Sequence, residues 1–291
     1  MTRRSGFAIA PSDGTPLYYA LTGADDAAGA VVLCDGIGCD GYVWKYLERS
    51  LGERYRVVRW HYRGHGRTPM PRDPARLAIA DLADDLAAVL DECELSRAAV
   101  FGHSMGVQVA LESYRRHADR VSALGLLCGA PGRPLDTFRG SSLGDRILPL
   151  LRGMVGAAPR FTNAVWRIVM PTSMSYWISA RVEVNGVLIE RDDFTPYLEG
   201  LARVDVPMFF AMLAEAQRHS ALELLPSIAV PTLIIAGDRD GFTPARLSER
   251  MRDEIPGAEL LMIEGGSHTA PLERPHLVGD TVLAFLARAL G

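Results

Sequence analysis

A serine between two glycines is the residue whose surroundings point most directly to chemistry. The pentapeptide Gly102–Gly106, Gly-His-Ser-Met-Gly, follows the apolar run Ala98–Phe101 and precedes the helical-looking stretch Val107–Arg116. A strand that ends in Gly-x-Ser-x-Gly and turns directly into a helix holds its serine on a sharp turn, with the hydroxyl exposed. Larger side chains at the two glycines would collide with the neighbouring strand or helix. The pattern is short enough to occur by chance, so the rest of the chain must support Ser104 as a nucleophile.

Two later apolar runs end in residues that could activate this serine. Thr232–Ala236 is followed by two acids, Asp238 and Asp240, and Glu259–Ile263 is followed by His268. A serine hydroxyl needs a base within hydrogen-bond reach, and a carboxylate must hold that base in the correct tautomer. Singly, the serine could be a helix N-cap and the histidine a surface-loop residue. Together, in this order at strand ends, they predict a catalytic group.

With these motifs the sequence resembles the α/β-hydrolase superfamily, in its small, capped branch of esterases and haloperoxidase-like enzymes. The resemblance is strong over residues 30–130 and 226–291 and weak between them. It implies the α/β-hydrolase fold, a mostly parallel eight-stranded sheet flanked by helices, with a helical lid inserted after the sixth strand. The chain then divides into a core of residues 1–130 and 221–291 and a lid of residues 131–220.

The apolar pattern agrees with such a sheet. Continuous runs at Ala30–Cys34 and Arg56–Trp60 predict buried strands, and helical spacing across Leu77–Glu92 predicts a helix. Strands that alternate with helices predict a mostly parallel sheet covered on both faces. Over residues 131–220 this alternation stops, and prolines interrupt a helical pattern. Within it, Val182–Ile189 is either a small hairpin at Asn-Gly or a break between helices.

The resemblance also selects the acid. Asp240 stands three residues after Gly237 and four before Pro244, which matches the superfamily's Gly-x-x-Asp-x-x-x-Pro pattern. We therefore expect Asp240 to orient His268. Asp238 is expected to cap the loop or the helix that follows it.

Acyl transfer also needs two donors aimed at the developing oxyanion. The resemblance implies that Met105, next after the nucleophile, supplies one backbone N–H. The second should come from the loop after Ala30–Cys34, where Ile37 takes that role by position and Gly38 is the alternative.

One residue of this loop departs from the superfamily's pattern. Asp35 stands where a histidine is usual. A carboxylate beside an oxyanion site opposes the charge that forms there, so it should point elsewhere and be neutralised. We expect Asp35 to turn back to loop amides or to Arg63.

Composition excludes several classes of protein. The 291 residues are 48% hydrophobic and 23% charged, as in ordinary globular proteins, and a net charge of −4 indicates no nucleic-acid or membrane footprint. No apolar run is long enough to span a membrane, and no apolar segment of a secretory signal follows the first arginines, so we expect a cytoplasmic protein. The four cysteines lack metal-site spacing and predict buried free thiols.

The expected function is a serine hydrolase that cleaves carboxylic esters or lactones through an acyl-enzyme, without a metal or organic cofactor. The apolar lid favours a small-molecule, largely hydrophobic substrate. The same triad also serves thioester hydrolysis, carbon–carbon bond hydrolysis and cofactor-free perhydrolysis. A ligand-binding member of the fold that barely turns over is the alternative from another class. The sequence carries no signal for oligomeric state.

Overall fold

An eight-stranded sheet runs through the centre of the molecule. The structure, a computed structural model, describes residues 2–23, 27–136, 143–175, 188–189 and 191–290. The strands are β1 (Thr2–Ile9), β2 (Pro16–Gly23), β3 (Ala30–Cys34), β4 (Arg56–Trp60), β5 (Ala98–His103), β6 (Val121–Leu127), β7 (Thr232–Gly237) and β8 (Glu259–Ile263). Their order across the sheet is β1-β2-β4-β3-β5-β6-β7-β8.

The strands from β3 to β8 are parallel, and only β2 runs against both of its neighbours. Every residue of β3, β5 and β7 is buried. Strands that are apolar along their whole length are covered on both faces, because successive side chains point to opposite sides. The predicted sheet, mostly parallel and eight-stranded, is confirmed.

Helices flank the sheet and also form most of the described chain between β6 and β7. In chain order they are α1 (Lys45–Gly52), α2 (Ile79–Glu92), α3 (Met105–Arg116), α4 (Leu143–Ala157), α5 (Pro159–Val169), α6 (Arg191–Leu201), α7 (Val206–Arg218), α8 (Ala245–Glu254), α9 (Ala270–Glu273) and α10 (Pro275–Leu290). Side chains of α2 and α3 pack in one core with Val32 of β3, whereas α1 and α10 pack in a second core with Val31 and Leu33. Successive residues of β3 therefore pack into different cores, one on each face of the sheet.

The described residues between β6 and β7 contain α4, α5, α6 and α7; we call the described residues from 133 to 219 the insertion. The chain enters and leaves the insertion at adjacent points. Ala221 N–H donates to the Pro131 carbonyl at 2.7 Å, Arg133 N–H donates to the His219 carbonyl at 3.2 Å, and Gly132 pairs with Ser220. These contacts form a two-stranded stem.

The division into residues 1–130, 131–220 and 221–291 remains a prediction. Of the segment 182–189, for which the sequence allowed a hairpin or a break between helices, only Leu188 and Ile189 lie within the described residues. In the described ranges, no helix has both the length and the apolar character of a membrane span.

Candidate active site

Ser104 occupies the sharp turn between β5 and α3. Its φ of 57° and ψ of −119° lie in a region that residues other than glycine rarely adopt. A Cβ at Gly102 would lie 2.1 Å from the Gly106 carbonyl oxygen, and a Cβ at Gly106 would lie 2.2 Å from that of Cys34. Both glycines are therefore required for the backbone segments to approach this closely, and the structure has the predicted strand–serine–helix turn.

The three residues predicted for catalysis meet at one edge of the sheet. His268 Nε2 lies 2.9 Å from Ser104 Oγ, and His268 Nδ1 lies 2.9 Å from Asp240 Oδ2. Ser104 follows β5, Asp240 follows β7 and His268 follows β8, and the carboxyl ends of parallel strands lie at the same edge. Because the carboxylate can only accept, Nδ1 carries the proton and Nε2 is free to accept the serine proton.

Four hydrogen bonds hold the Asp240 carboxylate. Oδ1 accepts the backbone N–H groups of Phe242 and Thr243 at 2.8 and 2.9 Å, and Oδ2 accepts the Thr243 hydroxyl at 2.8 Å beside the bond to His268. Burial acts to raise the pKa of Asp240, but the charge and hydrogen bonds of His268 and Thr243 outweigh it and hold the pKa below its usual value. Asp240 is therefore ionised at neutral pH.

The expected capping role of Asp238 is wrong. Asp238 is exposed, and its carboxylate makes no hydrogen bond to the described residues. Helix α8 begins after Pro244, which provides no side-chain capping bond. The backbone N–H groups of the loop are instead bound by Asp240, which is why this loop does not need a second acid.

The backbone N–H groups of Ile37 and Met105, predicted to bind the oxyanion, have no protein acceptor among the described residues. Both residues line the same cavity as the serine. Met105 is the first residue of α3, so its N–H has no partner within the helix. The alternative donor, Gly38, is unavailable because its N–H donates to His65 Nε2 at 2.9 Å.

The expectation that Asp35 turns back to loop amides or to Arg63 is wrong. The Asp35 side chain is 2% exposed and accepts no hydrogen bond in the described residues, whereas Arg63 donates two bonds of 2.6 Å to Asp85. Burial raises the pKa of Asp35 to about 8, and the guanidinium of Arg59 only partly offsets this. Asp35 is therefore mostly uncharged at neutral pH and does not oppose a nearby anion.

Sequence reasoning missed the groups that hold the histidine loop. Glu273 Oε2 accepts the Ser267 N–H at 2.7 Å, and Oε1 accepts the hydroxyls of Ser267 and Thr269. The His268 carbonyl accepts from His103 Nε2 at 2.9 Å. Glu273 lies close in sequence, but no spacing rule distinguishes it from a surface acid, and the His103 contact crosses most of the chain.

A cavity of about 480 Å³ opens beside Ser104. Of the described residues that line it, none is Lys, Arg, Asp or Glu. Two of its polar side chains already donate to the protein, Gln108 to the Ala216 carbonyl and Ser175 to the Val169 carbonyl. Most of the wall is apolar, and the insertion supplies much of its large apolar part: Trp166, Val169, Met170, Met174, Leu198, Leu201, Phe209 and Leu213.

Within the described part of the chain, no group of three or more His, Cys, Asp or Glu side chains could hold a metal ion. All four cysteines are buried, and none of them forms a disulfide in the described part of the chain. Burial raises the pKa of Cys34 to about 12, so this thiol stays protonated at neutral pH. These thiols pack as small apolar side chains.

Comparison with known proteins agrees with this architecture. Residues 29–275 match a family model described as alpha/beta hydrolase fold. The chain is similar to a putative carbamate hydrolase, RutD, of Caulobacter vibrioides, with 28% identity over 280 residues that cover 94% of this chain and 96% of that protein. It is also similar to the crystal structure of the enol-lactonase from Burkholderia xenovorans, with a TM-score of 0.74, 25% identity, and coverage of 94% and 98%. A thermophilic esterase from Thermogutta terrifontis, 22% identical with a TM-score of 0.76 over 100% of both chains, shares the fold.

The match includes the whole parallel part of the sheet, from β3 to β8, together with Ser104, Asp240 and His268. The match also includes the insertion, so the family model covers far more than half of the chain. Sheet order, strand directions and sequence thus lead to the same assignment. The chain belongs to the alpha/beta hydrolase fold family.

Proposed function

We propose that this protein is a serine hydrolase that cleaves a carboxylic ester or lactone through an acyl-enzyme intermediate. One observation carries the proposal: His268 lies 2.9 Å from both the Ser104 hydroxyl and the Asp240 carboxylate. A nucleophile, a base and a group that orients the base are the minimum set for this chemistry.

Acylation follows from these positions. Ser104 Oγ attacks the substrate carbonyl carbon while its proton passes to His268 Nε2, and Asp240 stabilises the imidazolium. The carbonyl oxygen becomes an anion that the N–H groups of Ile37 and Met105 bind. The carbon–oxygen bond to the leaving group then breaks, and His268 returns the proton to that oxygen. In a lactone the leaving alcohol stays attached to the acyl group.

Deacylation repeats the sequence with water. His268 takes a proton from a water molecule, the resulting nucleophile attacks the acyl carbon, and the Ser104 oxygen leaves with a proton from the imidazolium. The step releases a carboxylic acid. No additional charged group is needed, because the same two N–H donors serve both tetrahedral intermediates.

The cavity supports an uncharged, largely apolar substrate. Its described walls contain no Lys, Arg, Asp or Glu side chain, so a carboxylate or an ammonium group on the substrate would be buried without a charged partner. Its volume of about 480 Å³ holds a medium-sized acyl chain or ring. We therefore propose neutral esters and lactones with an aliphatic or aromatic acyl part.

The names of the relatives support acyl-group hydrolysis in general. One is a putative carbamate hydrolase and one is an enol-lactonase. An unsubstituted carbamate is small and would leave most of this apolar cavity without contacts. The cavity therefore favours an ester or lactone over a small carbamate. Thioesterase, carbon–carbon hydrolase, perhydrolase and weakly catalytic binding functions use the same residues and are separated by experiment.

The decisive experiment measures both labelling and turnover. Purified protein is treated with a fluorophosphonate probe at neutral pH and assayed with p-nitrophenyl esters of increasing chain length, several lactones, a thioester and a carbamate. We expect rapid labelling of Ser104 and turnover that peaks with neutral esters or lactones of medium size. Ser104→Ala abolishes both, whereas Ser113→Ala, which removes another buried hydroxyl, retains both.

Three outcomes would contradict the proposal. The first is wild-type protein that is neither labelled nor active, which favours a ligand-binding function. The second is a Ser104→Ala variant that keeps its activity. The third is turnover confined to thioesters or carbamates, which overturns the substrate class while leaving the nucleophile in place.

A further inference from the structure

The loop after β3 carries the Ile37 N–H in a tight turn. The Cys39 N–H donates to the Gly36 carbonyl oxygen at 3.3 Å. Because a trans peptide is planar, the Gly36 carbonyl and the Ile37 N–H lie in one plane and point in opposite directions. The bond from Cys39 therefore sets the direction of the Ile37 N–H from one side of the turn.

His65 holds the next peptide plane. Its Nε2 accepts the Gly38 N–H at 2.9 Å. Gly38 has a φ of +75°, and a Cβ there would lie 2.7 Å from Leu201. The turn is thus packed against Leu201 and held by hydrogen bonds to Gly36 and His65. The two peptide planes that flank Ile37 therefore have little freedom to rotate.

The His65 ring is neutral and in one tautomer. Its Nδ1 lies 2.9 Å from the Arg63 carbonyl oxygen and so carries the proton, which leaves Nε2 as the acceptor for Gly38. The side chain is 1% exposed. Burial lowers the pKa of His65, against the opposing effects of the Arg63 carbonyl and Asp40, and this favours the neutral ring.

The support behind His65 is also rigid. Arg63 is fully buried, donates two bonds of 2.6 Å to Asp85 and lies 3.3 Å from Asp13. The position of its carbonyl is therefore fixed by charge-assisted hydrogen bonds, which are among the strongest in proteins. A continuous series of contacts joins Asp85 in α2 to the Gly38 N–H, one residue after Ile37.

We propose that His65 is a positioning residue that aims the Ile37 N–H at the developing oxyanion. His65 does not line the cavity and has no contact with the substrate; it acts only through the Gly38 peptide. The proposal rests on the proposed function, because the oxyanion forms only if Ser104 attacks a carbonyl. It assigns to His65 an effect on the transition state and none on substrate binding.

Two amide substitutions separate the contacts of the two ring nitrogens. In His65→Asn, the shorter amide can reach the Arg63 carbonyl, as Nδ1 does, but not the Gly38 N–H. In His65→Gln, the longer amide can reach the Gly38 N–H, as Nε2 does, but loses the contact with Arg63. Both side chains are polar and uncharged, so differences in burial or charge do not distinguish the two variants.

We expect His65→Asn to lower kcat roughly 30- to 100-fold with KM changed less than about 2-fold, since a misplaced oxyanion donor costs that much. His65→Gln should stay within about 5-fold of the wild-type kcat.

The inhibition constant of an alkyl boronic acid, whose tetrahedral adduct on Ser104 places an oxygen in the oxyanion position, should rise in His65→Asn by the same factor by which kcat/KM falls. His61→Leu, which removes another buried ring from the same loop, should leave kcat within about 3-fold of wild type.

Hydrogen exchange of the Gly38 amide gives a readout that does not need turnover. Protection should be lost in His65→Asn and kept in His65→Gln. Equal losses of kcat in the Asn and Gln variants, a larger loss in Gln, or an unchanged boronate affinity would overturn the positioning role while wild-type activity upholds the proposed function. A wild-type protein that lacks esterase activity and fluorophosphonate labelling would overturn both.

Discussion

The sheet and the insertion use apolar residues in different ways. Every side chain of β3, β5 and β7 is buried. Helix α5 of the insertion has no buried residue, and Phe161 and Ile168 are 70% and 72% exposed. Yet Trp166 and Val169 of the same helix line the cavity. Complete burial fixes the positions of the strand residues. In the insertion, by contrast, α5 presents apolar side chains both to the cavity and to solvent.

This difference separates the residues proposed for catalysis from the residues that shape the cavity. The residues proposed to react, Ser104, Asp240 and His268, all belong to loops at strand ends, where backbone segments and buried hydrogen bonds limit movement. The large apolar side chains of the cavity wall come mainly from the insertion. We therefore expect changes near the sheet to alter rate or stability, and changes in the insertion to alter substrate preference.

The largest effect should follow from Asp240→Asn. The amide cannot hold His268 in the correct tautomer or stabilise the imidazolium, so kcat should fall about 10⁴-fold. The ranking of ester chain lengths should stay the same, because the cavity wall is unchanged. Steady-state kinetics on an ester series measures both, and Asp238→Asn in the same loop should retain wild-type kcat. A changed ranking, or an equal loss in Asp238→Asn, would break the separation of rate from preference.

Asp35→Asn tests how the buried Asp35 carboxyl, at the end of β3, affects the stability of the fold. Because the folded-state pKa of Asp35 is raised to about 8, its stabilising contribution is full below about pH 4 and is lost as the pH rises toward 8. We expect the variant to exceed the wild type by up to about 5 kcal/mol in free energy of unfolding at pH 8, and to differ little at pH 4.

Urea unfolding at several pH values measures this difference. Asp119→Asn, at an exposed acid, is the control and should follow the wild type at each pH. If the wild type and Asp35→Asn differ by the same amount at pH 4 and pH 8, Asp35 does not titrate as its burial requires.

Leu213 tests the insertion. It lies on α7 and lines the cavity. Leu213→Ala should shift the preferred ester toward longer acyl chains and Leu213→Phe toward shorter ones, each changing the ratio of kcat/KM between chain lengths by about 10-fold, the usual worth of a methylene or two in an apolar pocket. Phe210→Ala, on the same helix but outside the cavity wall, should leave the ratio unchanged. Parallel shifts in Phe210→Ala would mean that helix packing, and not the wall, sets the preference.

The smallest effect is expected on the outer face of α5. Phe161→Gln should change the free energy of unfolding by less than about 0.5 kcal/mol, since exposed positions contribute little. Phe101→Ala in β5 should cost about 3–5 kcal/mol, because a buried aromatic ring leaves a cavity. Chemical unfolding of both variants measures the contrast. A loss of more than about 1 kcal/mol in Phe161→Gln would show that this face is covered in solution.

Much of the sheet and of the candidate catalytic group could be predicted from the sequence. The run Ala30–Cys34 has the predicted bounds, because a continuous apolar stretch leaves a strand no solvent-facing side. Arg56–Trp60 also has the predicted bounds, although Arg56 and Arg59 are only partly buried. Ser104, Asp240 and His268 were predictable because each belongs to a short motif at the end of such a run, and parallel strands bring those ends together.

The environment of Asp35 could not be predicted in the same way. Arg63 was the expected partner, but its Nε and Nη2 donate to Asp85, one of several aspartates in α2, and its other N–H groups donate to Ser12 and to the Arg76 carbonyl. In sequence Asp85 looks like an acid placed to favour the helix dipole. The bond from Gly38 to His65 spans two loops and has no local pattern either. Such contacts depend on how loops pack, which residue spacing does not specify.

The stem at the base of the insertion has a consequence for how the protein can be altered. Because Pro131 and Ala221 are joined by a direct hydrogen bond, the distance between β6 and β7 does not depend on how many residues lie between them. The entropy of closing such a loop grows only slowly with its length. A segment of another length can therefore replace this one between Gly132 and Ser220 without moving β6 from β7, provided that it again fills the cores that Phe194, Met208 and Met212 occupy. We expect such replacements to change the substrate while Ser104, Asp240 and His268 keep their positions.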